Sequence, residues 1–254
     1  MAPVIDILMY HSVSDAGGPT SIPPATFAMQ MRALAESGVP VISLDDLAAS
    51  RSGGPALPAR SVIVTFDDGF RDFADAAWPV MARHGIRPMV YLPTGFVGRA
   101  EGWKGIREPA RPLMDWATVR RLADEGVAFG SHTVRHPDLD SLAPGALAEE
   151  LDRSKREIED RLGQPAEHFA PPYGIAGPRV RAEIARRYRT SVGTQLRPAQ
   201  ARDDLHDLPR IEMFYFADEG RWRRHLGGRG APYLAARRLL RGLRSALRRP
   251  WQGV

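Results

Sequence analysis

Short apolar, β-branched runs alternate with helical stretches along most of this chain, and that alternation constrains its fold more than any other feature. The runs 4–9, 39–43, 61–65, 88–92, 127–130 and 190–193 read as buried strands, and 168–170 and 208–213 carry the same pattern more weakly. Helices are expected between them over 24–37, 70–84, 117–125, 144–162 and 178–187. Asp115 and Gly126 bracket the third of these as N-cap and C-cap, and Pro144 stands where a first-turn proline is welcome. Repeated strand-helix alternation calls for a parallel sheet, open or closed as a barrel. The 254 residues match a single α/β barrel of about 250 residues.

Charge divides the chain unevenly. The formal net charge is +5, yet no acidic residue follows Glu219, and ten arginines do. Removing those ten leaves residues 1–219 near −5, an acidic body rather than a nucleic-acid-binding one. We therefore expect a barrel domain over 1–219 and an arginine-rich tail or helix over 220–254. Within the tail, Ala236, Leu239, Leu240, Leu243 and Leu247 share one helical face, and Arg237, Arg241, Arg244 and Arg248 occupy the rest, with Trp251 following. Such a helix can lie on an anionic membrane surface; the alternative packs its leucines on the barrel and leaves its arginines in water. Residues 1–11 lack a basic n-region, and Asp6 interrupts their apolar run, so no signal peptide is expected. No run approaches the ~20 apolar residues of a membrane span. The expected location is the cytoplasm, with peripheral contact at the inner face of the membrane through residues 231–254.

There are no cysteines, so a transition metal could be held only by His, Asp or Glu. Two segments offer such ligands. Thr65-Phe66-Asp67-Asp68-Gly69 follows an apolar strand and precedes a helix. Adjacent carboxylates there repel unless a cation or a proton-transfer role compensates; an ordinary helix N-cap is the plain alternative. Ser131-His132-Thr133-Val134-Arg135-His136 follows another strand, and histidines at i and i+4 share a face if the turn is helical. Together the segments supply a two-His, one-Asp set with open positions. His11 and Tyr173 also follow predicted strands, so reactive side chains collect at strand C-terminal ends, where parallel barrels place catalysis. The long stretch 94–114, with Phe96, Trp103 and Gly105, is a candidate loop for covering a substrate.

The 65–69 and 132–136 segments resemble the first two signatures of polysaccharide deacetylases of the NodB-homology, carbohydrate-esterase type. Phe169-Ala170-Pro171-Pro172-Tyr173-Gly174 is similar to the third, and Leu8-Met9-Tyr10-His11 fits a subgroup with an N-terminal Met-Tyr-His motif. The resemblance implies a distorted (β/α)7-type barrel and one divalent metal, Zn²⁺ first and Co²⁺, Ni²⁺ or Fe²⁺ as alternatives. It implies removal of N-acetyl groups from an amino sugar or glycan. Asp68, His132 and His136 would hold the metal, and Asp67 would be the general base. The Tyr173 N–H would stabilise the oxyanion, and His11 would be the general acid. An arginine common before the third signature's Pro-Pro-Tyr is replaced by Ala170, and Arg210 is the candidate substitute. His206 and His225 compete with His11, but neither follows a strand that aims at the site. Two other readings remain open: a cyclic-amide or imide hydrolase on the same fold, and a barrel that only binds carbohydrate.

Overall fold

Strand β1 (Val4–Tyr10) is buried along nearly its whole length, as expected for a central strand covered on both faces. The computed structural model describes residues 3–103 and 109–247, with side chains described to residue 242. Gly105 of the long loop and the tail from Arg248, including Arg249 and Trp251, lie outside the described residues.

β1 pairs in parallel with β2 (Arg60–Phe66) from Val4↔Arg60 to Tyr10↔Phe66. Parallel pairing then continues through β3 (Met89–Leu92), β4 (Ala128–Ser131), β5 (His168–Phe169) and β6 (Thr190–Ser191). On its other side β1 takes a short antiparallel strand, β7 (Ala199–Gln200), near its start, and the parallel β8 (Ile211–Glu212) near its end. A bridge between Val192 and Leu208 links the β6 edge to the segment entering β8. The parallel strands thus curl into the expected distorted barrel.

Strand alternation sorts the core into layers. Ile5, Ile7, Ile63, Tyr91, Ala170, Val192 and Leu208 form one apolar cluster. Leu8, Tyr10, Val62, Val64, Phe66 and Val90 form another, with residues of α1 (Pro24–Ser37), α3 (Trp78–Arg83) and α4 (Trp116–Asp124). A third gathers Leu147 and Leu151 of α5 (Pro144–Leu162) and Val180 and Ile184 of α6 (Pro178–Ala185) around Phe169.

Two expectations are corrected. Residues 39–43 make only an isolated bridge, Val41↔Val62, because Ser43 starts helix α2 (Leu44–Arg51) with a reciprocal capping box to Asp46. The 70–84 helix forms, but with a π-turn over Phe73–Ala77. Pro79 has no N–H to donate within it, and opening the helix relieves the clash a proline causes one turn back.

Packing runs on past residue 219. Trp222 of α7 (Glu219–Arg224) is fully buried and donates its indole N–H to the Gln30 carbonyl at 3.0 Å. Leu226 and Leu234 join the same cluster. Helix α8 (Ala231–Leu247) follows. No helix among the described residues is long and apolar enough to cross a membrane.

Candidate active site

In an extended strand, neighbouring side chains point to opposite faces. Asp67 and Asp68 escape that rule because Asp68 turns into the left-handed region, φ +72°. Gly69 follows at φ +67°, where a Cβ would meet Leu92 at 2.5 Å, so only glycine completes this turn. The two carboxylates consequently face different partners at the same end of the barrel.

Asp67 turns toward Arg210. The guanidinium donates from Nη1 to Oδ1 at 2.6 Å and from Nη2 to Oδ2 at 2.7 Å, both groups being buried. Arg210 is held in turn by the Gly193 carbonyl, 2.9 Å from Nε, and by the Thr65 hydroxyl. Burial alone would push the Asp67 carboxyl up; the charge and hydrogen bonds of Arg210 outweigh it and leave the group below the usual carboxylate range. A carboxylate so held is ionised and fixed in orientation. Ala170, where the resemblance expects an arginine, is fully buried in the apolar cluster.

Asp68 turns toward the two histidines. Its Oδ1 lies 3.4 Å from His132 Nε2 and 3.5 Å from His136 Nε2, and one ligand atom from each residue falls within 4.8 Å of the others. All three residues are buried, and Asp68 Oδ1 and His136 Nδ1 have no hydrogen-bond partner. His132 donates from Nδ1 to the Ala170 carbonyl at 2.6 Å. A carbonyl can only accept, so that bond leaves the Nε2 lone pair of a neutral ring free to ligate. Three donor atoms without sulfur, one a buried carboxylate oxygen lacking a partner, fit a divalent metal. Burial works against charge on Asp68, yet the flanking imidazoles hold it well below the usual range. Burial also works against charge on both rings; His132 is nevertheless raised by the facing carboxylates, whereas His136 is lowered. A proton between His132 and Asp68 competes with a metal for the same lone pairs.

The histidines do not meet on a helical turn, as their spacing suggested. Thr133 and His136 adopt left-handed conformations, φ +70° and +56°, and the chain between them is irregular. Among the described non-glycine residues, positive φ occurs only at Asp68, Thr133, His136 and Tyr173. Strain of this kind persists only where surrounding structure over-determines it. Here the restraint is visible: His136 N–H donates to the Thr133 hydroxyl at 3.0 Å, and the buried Glu150 carboxylate accepts from Val134 N–H at 2.8 Å and Arg135 N–H at 2.9 Å. Glu150 was missed from sequence, although an acid on the buried stripe of α5 (Leu147, Leu151, Ser154, Ile158) was a visible signal.

His11 stands just past β1, as Asp67 stands just past β2, and the Asp67 N–H donates to the Tyr10 carbonyl at 2.9 Å. Its Nε2 is 3.8 Å from Asp67 Oδ2. Tyr10 points away, stacked on Phe66 with its hydroxyl donating to Gln30 Oε1 at 2.9 Å, and so anchors the strand that presents His11. Beyond His11, the chain is clamped by Asp72, which accepts from Val13 N–H at 2.9 Å and from the Ser12 hydroxyl. Sequence reading had not singled out Asp72.

Aromatic rings border the histidines. Trp103 stacks on His136 at 4.5 Å between centroids, and Tyr173 meets it edge-on at 4.7 Å. Burial, then the charge of Asp68, pushes the Tyr173 phenol up to about 12. The loop carrying Trp103 is fastened by a two-pronged Arg111–Glu101 pair at 2.8 and 2.9 Å, with Glu101 buried. All seven residues singled out from sequence thus gather at one end of the barrel. His206 does not join them: it bonds the Tyr188 carbonyl at 3.0 Å and pairs with Asp204. His225 pairs with Asp6 at 3.1 Å, near the start of β1.

Comparison with known proteins points the same way as the geometry. YxkH of Bacillus subtilis is 23% identical over 210 residues, which cover 82% of this chain and 71% of YxkH. The chitooligosaccharide deacetylase of a Bradyrhizobium strain is 28% identical over 130 residues, 50% of this chain and 52% of that protein, so this chain matches about half of that relative's length. Streptococcus pyogenes deacetylase PplD, solved in complex with acetate, matches at a TM-score of 0.72 and 24% identity, covering 83% of this chain and 92% of PplD. IcaB from Ammonifex degensii matches at 0.74 and 24%, covering 91% of this chain and 98% of IcaB. At that identity the structural likenesses establish the fold. The polysaccharide deacetylase profile matches residues 54–190, more than half of the chain, and that span contains Asp67, Asp68, His132, His136 and Tyr173 although not His11 or Arg210. This chain belongs to the polysaccharide deacetylase family.

Proposed function

We propose that the protein is a metal-dependent N-deacetylase that hydrolyses the acetamide of an N-acetylated amino sugar or glycan to acetate and a free amine. The observation that carries the reading is the pairing of a complete Asp68–His132–His136 ligand set with a separate, ionised carboxylate, Asp67. A barrel used only to bind sugar has no need of that pairing. The family is metal-dependent in general, and a ligand set of two imidazoles and one carboxylate suits Zn²⁺, with Co²⁺, Ni²⁺ or Fe²⁺ as alternatives. When bound, such an ion polarises the amide carbonyl and acidifies water near neutral pH.

The chain's own groups carry the protons. Asp67, oriented by Arg210, accepts a proton from the attacking water as it adds to the acetyl carbon. The Tyr173 N–H donates to the developing oxyanion. As the C–N bond breaks, His11, beside Asp67, donates a proton to the departing amine. In this reading the chain falls in the subgroup whose acid histidine comes from the N-terminal strand. Trp103 and Tyr173 supply aromatic walls against which a sugar ring or the acetyl methyl can pack. The relative named as a chitooligosaccharide deacetylase supports a glucosamine-type substrate.

Acetate release from a panel of N-acetylated sugars tests the proposal. Chelator should abolish release and divalent metal restore it. No release from any N-acetyl sugar, with turnover of cyclic imides instead, would overturn it.

Arg210 gives a second test. Replacing it with Met leaves Asp67 buried without its cation, so the carboxyl must rise. Because a base acts only when ionised, the acid limb of kcat/KM should move to higher pH, and the value at neutral pH should fall on the order of 10²-fold. Arg210→Lys, which keeps the charge and loses the two-pronged contact, should fall between. An acid limb unmoved in both variants would separate Arg210 from the base.

A further inference from the structure

Sequence alone suggests two arrangements for the C-terminal helix: leucines packed on the barrel with arginines in water, or an apolar face left outward. In the structure the described leucines of that face, Leu239 and Leu240, are exposed. On α8, Leu234 is buried, Arg237 lies over the rings of Tyr215 at 4.9 Å and Tyr233 at 5.6 Å, and Arg241 pairs with Glu212 at 2.7 Å. These positions, 234, 237 and 241, form the inward face. The outward face carries Ala235, Ala236, Arg238, Leu239 and Leu240. Leu239 is 66% exposed and Leu240 53%.

A second observation falls in the same region. The other large exposed hydrophobic side chain among the described residues is Phe214. Its ring lies 4.0 Å from that of Tyr215, the residue on which Arg237 rests, and the Tyr215 carbonyl accepts from the Tyr233 hydroxyl at 2.9 Å. Phe214 thus adjoins the inward face of α8, while Leu239, Leu240 and the exposed Arg238 lie on its outward face. Phe214 follows β8, and Arg241 reaches Glu212, whose β1 partner Met9 is two residues before His11. Phe214 and the Glu212 end of the α8 contact thus lie toward the barrel end that carries the candidate active site.

We propose that α8 and the adjoining Phe214 turn dock the protein on an anionic lipid surface. A bilayer interface offers apolar depth for leucine and phenylalanine together with negative charge for arginine. A second copy of the chain is a poor match. A twofold contact through this face would set two helices against each other in a segment where no acidic residue follows Glu219. The docking is independent of the proposed chemistry, and its consequence would be to hold the catalytic end near membrane-associated substrates.

Co-sedimentation of the full chain with lipid vesicles tests this. Wild-type protein should pellet with phosphatidylcholine vesicles containing about one quarter phosphatidylglycerol at low salt, and at least about tenfold less with phosphatidylcholine alone or at high salt. The double variant Leu239→Asp, Leu240→Asp should lower partitioning about tenfold or more. Arg238→Glu, also at an exposed position, should weaken it in the same direction. Acetate release from a soluble N-acetylated sugar should be unchanged in these variants, which also reports that they are folded. Wild type remaining in the supernatant with both vesicle types would overturn the proposal, as would Leu239→Asp, Leu240→Asp pelleting like wild type. A wild-type dimer that this double variant dissociates, with no vesicle binding, would identify a protein interface instead. Failure of acetate release in wild type would count against the deacetylase reading and leave the vesicle result standing.

Discussion

Asp68→Asn and His132→Ala should each be purified with most of their metal gone, whereas wild type should hold about one divalent ion per chain. The expectation rests on three buried ligand residues with no fourth protein ligand beside them among the described residues. His132→Ala leaves two ligands, and Asp68→Asn exchanges the anionic oxygen for a weaker, neutral one. Asn is the better replacement for Asp68 because the position has φ +72°. Asparagine tolerates that conformation better than alanine, so metal loss is not confused with backbone strain. An ion acting on the carbonyl is worth several kcal/mol, so kcat should fall roughly 10³-fold or more at ~1.4 kcal/mol per tenfold. His132→Ala tests a further point, since its Nδ1–H is fixed by the Ala170 carbonyl. That bond orients the ring, and the variant loses ligand and orientation together. Elemental analysis after dialysis is the measurement. Full retention in both variants would dissolve the ligand assignment while leaving the fold untouched.

What could be read from the sequence was whatever depended on strand ends. Asp67, His132 and His11 each follow a buried apolar run, and a parallel sheet must bring such positions to one end. Arg210 could be guessed for the same reason, since Leu208 and Ile211 around it are buried. What could not be read were features set by tertiary contact. The i, i+4 spacing of His132 and His136 suggested a helical turn, but Glu150, fourteen residues beyond His136, captures the intervening N–H groups and holds a different backbone. Residues 39–43 look like a strand, yet the local capping chemistry of Ser43 and Asp46 wins over β-propensity. In α8 the helical period was correct, but which face turns inward was decided by Tyr215, Tyr233 and Glu212, partners that no pattern within the helix can reveal.

His11→Ala is expected to keep its metal and still lose on the order of 10²-fold or more in kcat, the usual scale for deleting a proton donor. The geometry isolates this histidine from its rivals. His11 Nε2 lies 3.8 Å from Asp67 Oδ2, partly open to solvent, while the ligand atoms of the metal set belong to other residues. The group can therefore reach a substrate at the barrel mouth without being needed to hold the ion. Asp72 and Tyr10 fix the chain on either side of it, so the loss should come from the missing imidazole and not from a displaced strand. His206 is the control: it bonds the Tyr188 carbonyl and pairs with Asp204, with no contact to Asp67. Its alanine variant should stay close to wild type. A substrate whose leaving amine needs no protonation, such as an aryl acetanilide with a strongly electron-withdrawing ring, should be affected less by His11→Ala than a sugar acetamide. That difference separates proton donation from a general loss of site structure. If His206→Ala is the crippled variant and His11→Ala remains active on sugars, the acid is not delivered from the N-terminal strand.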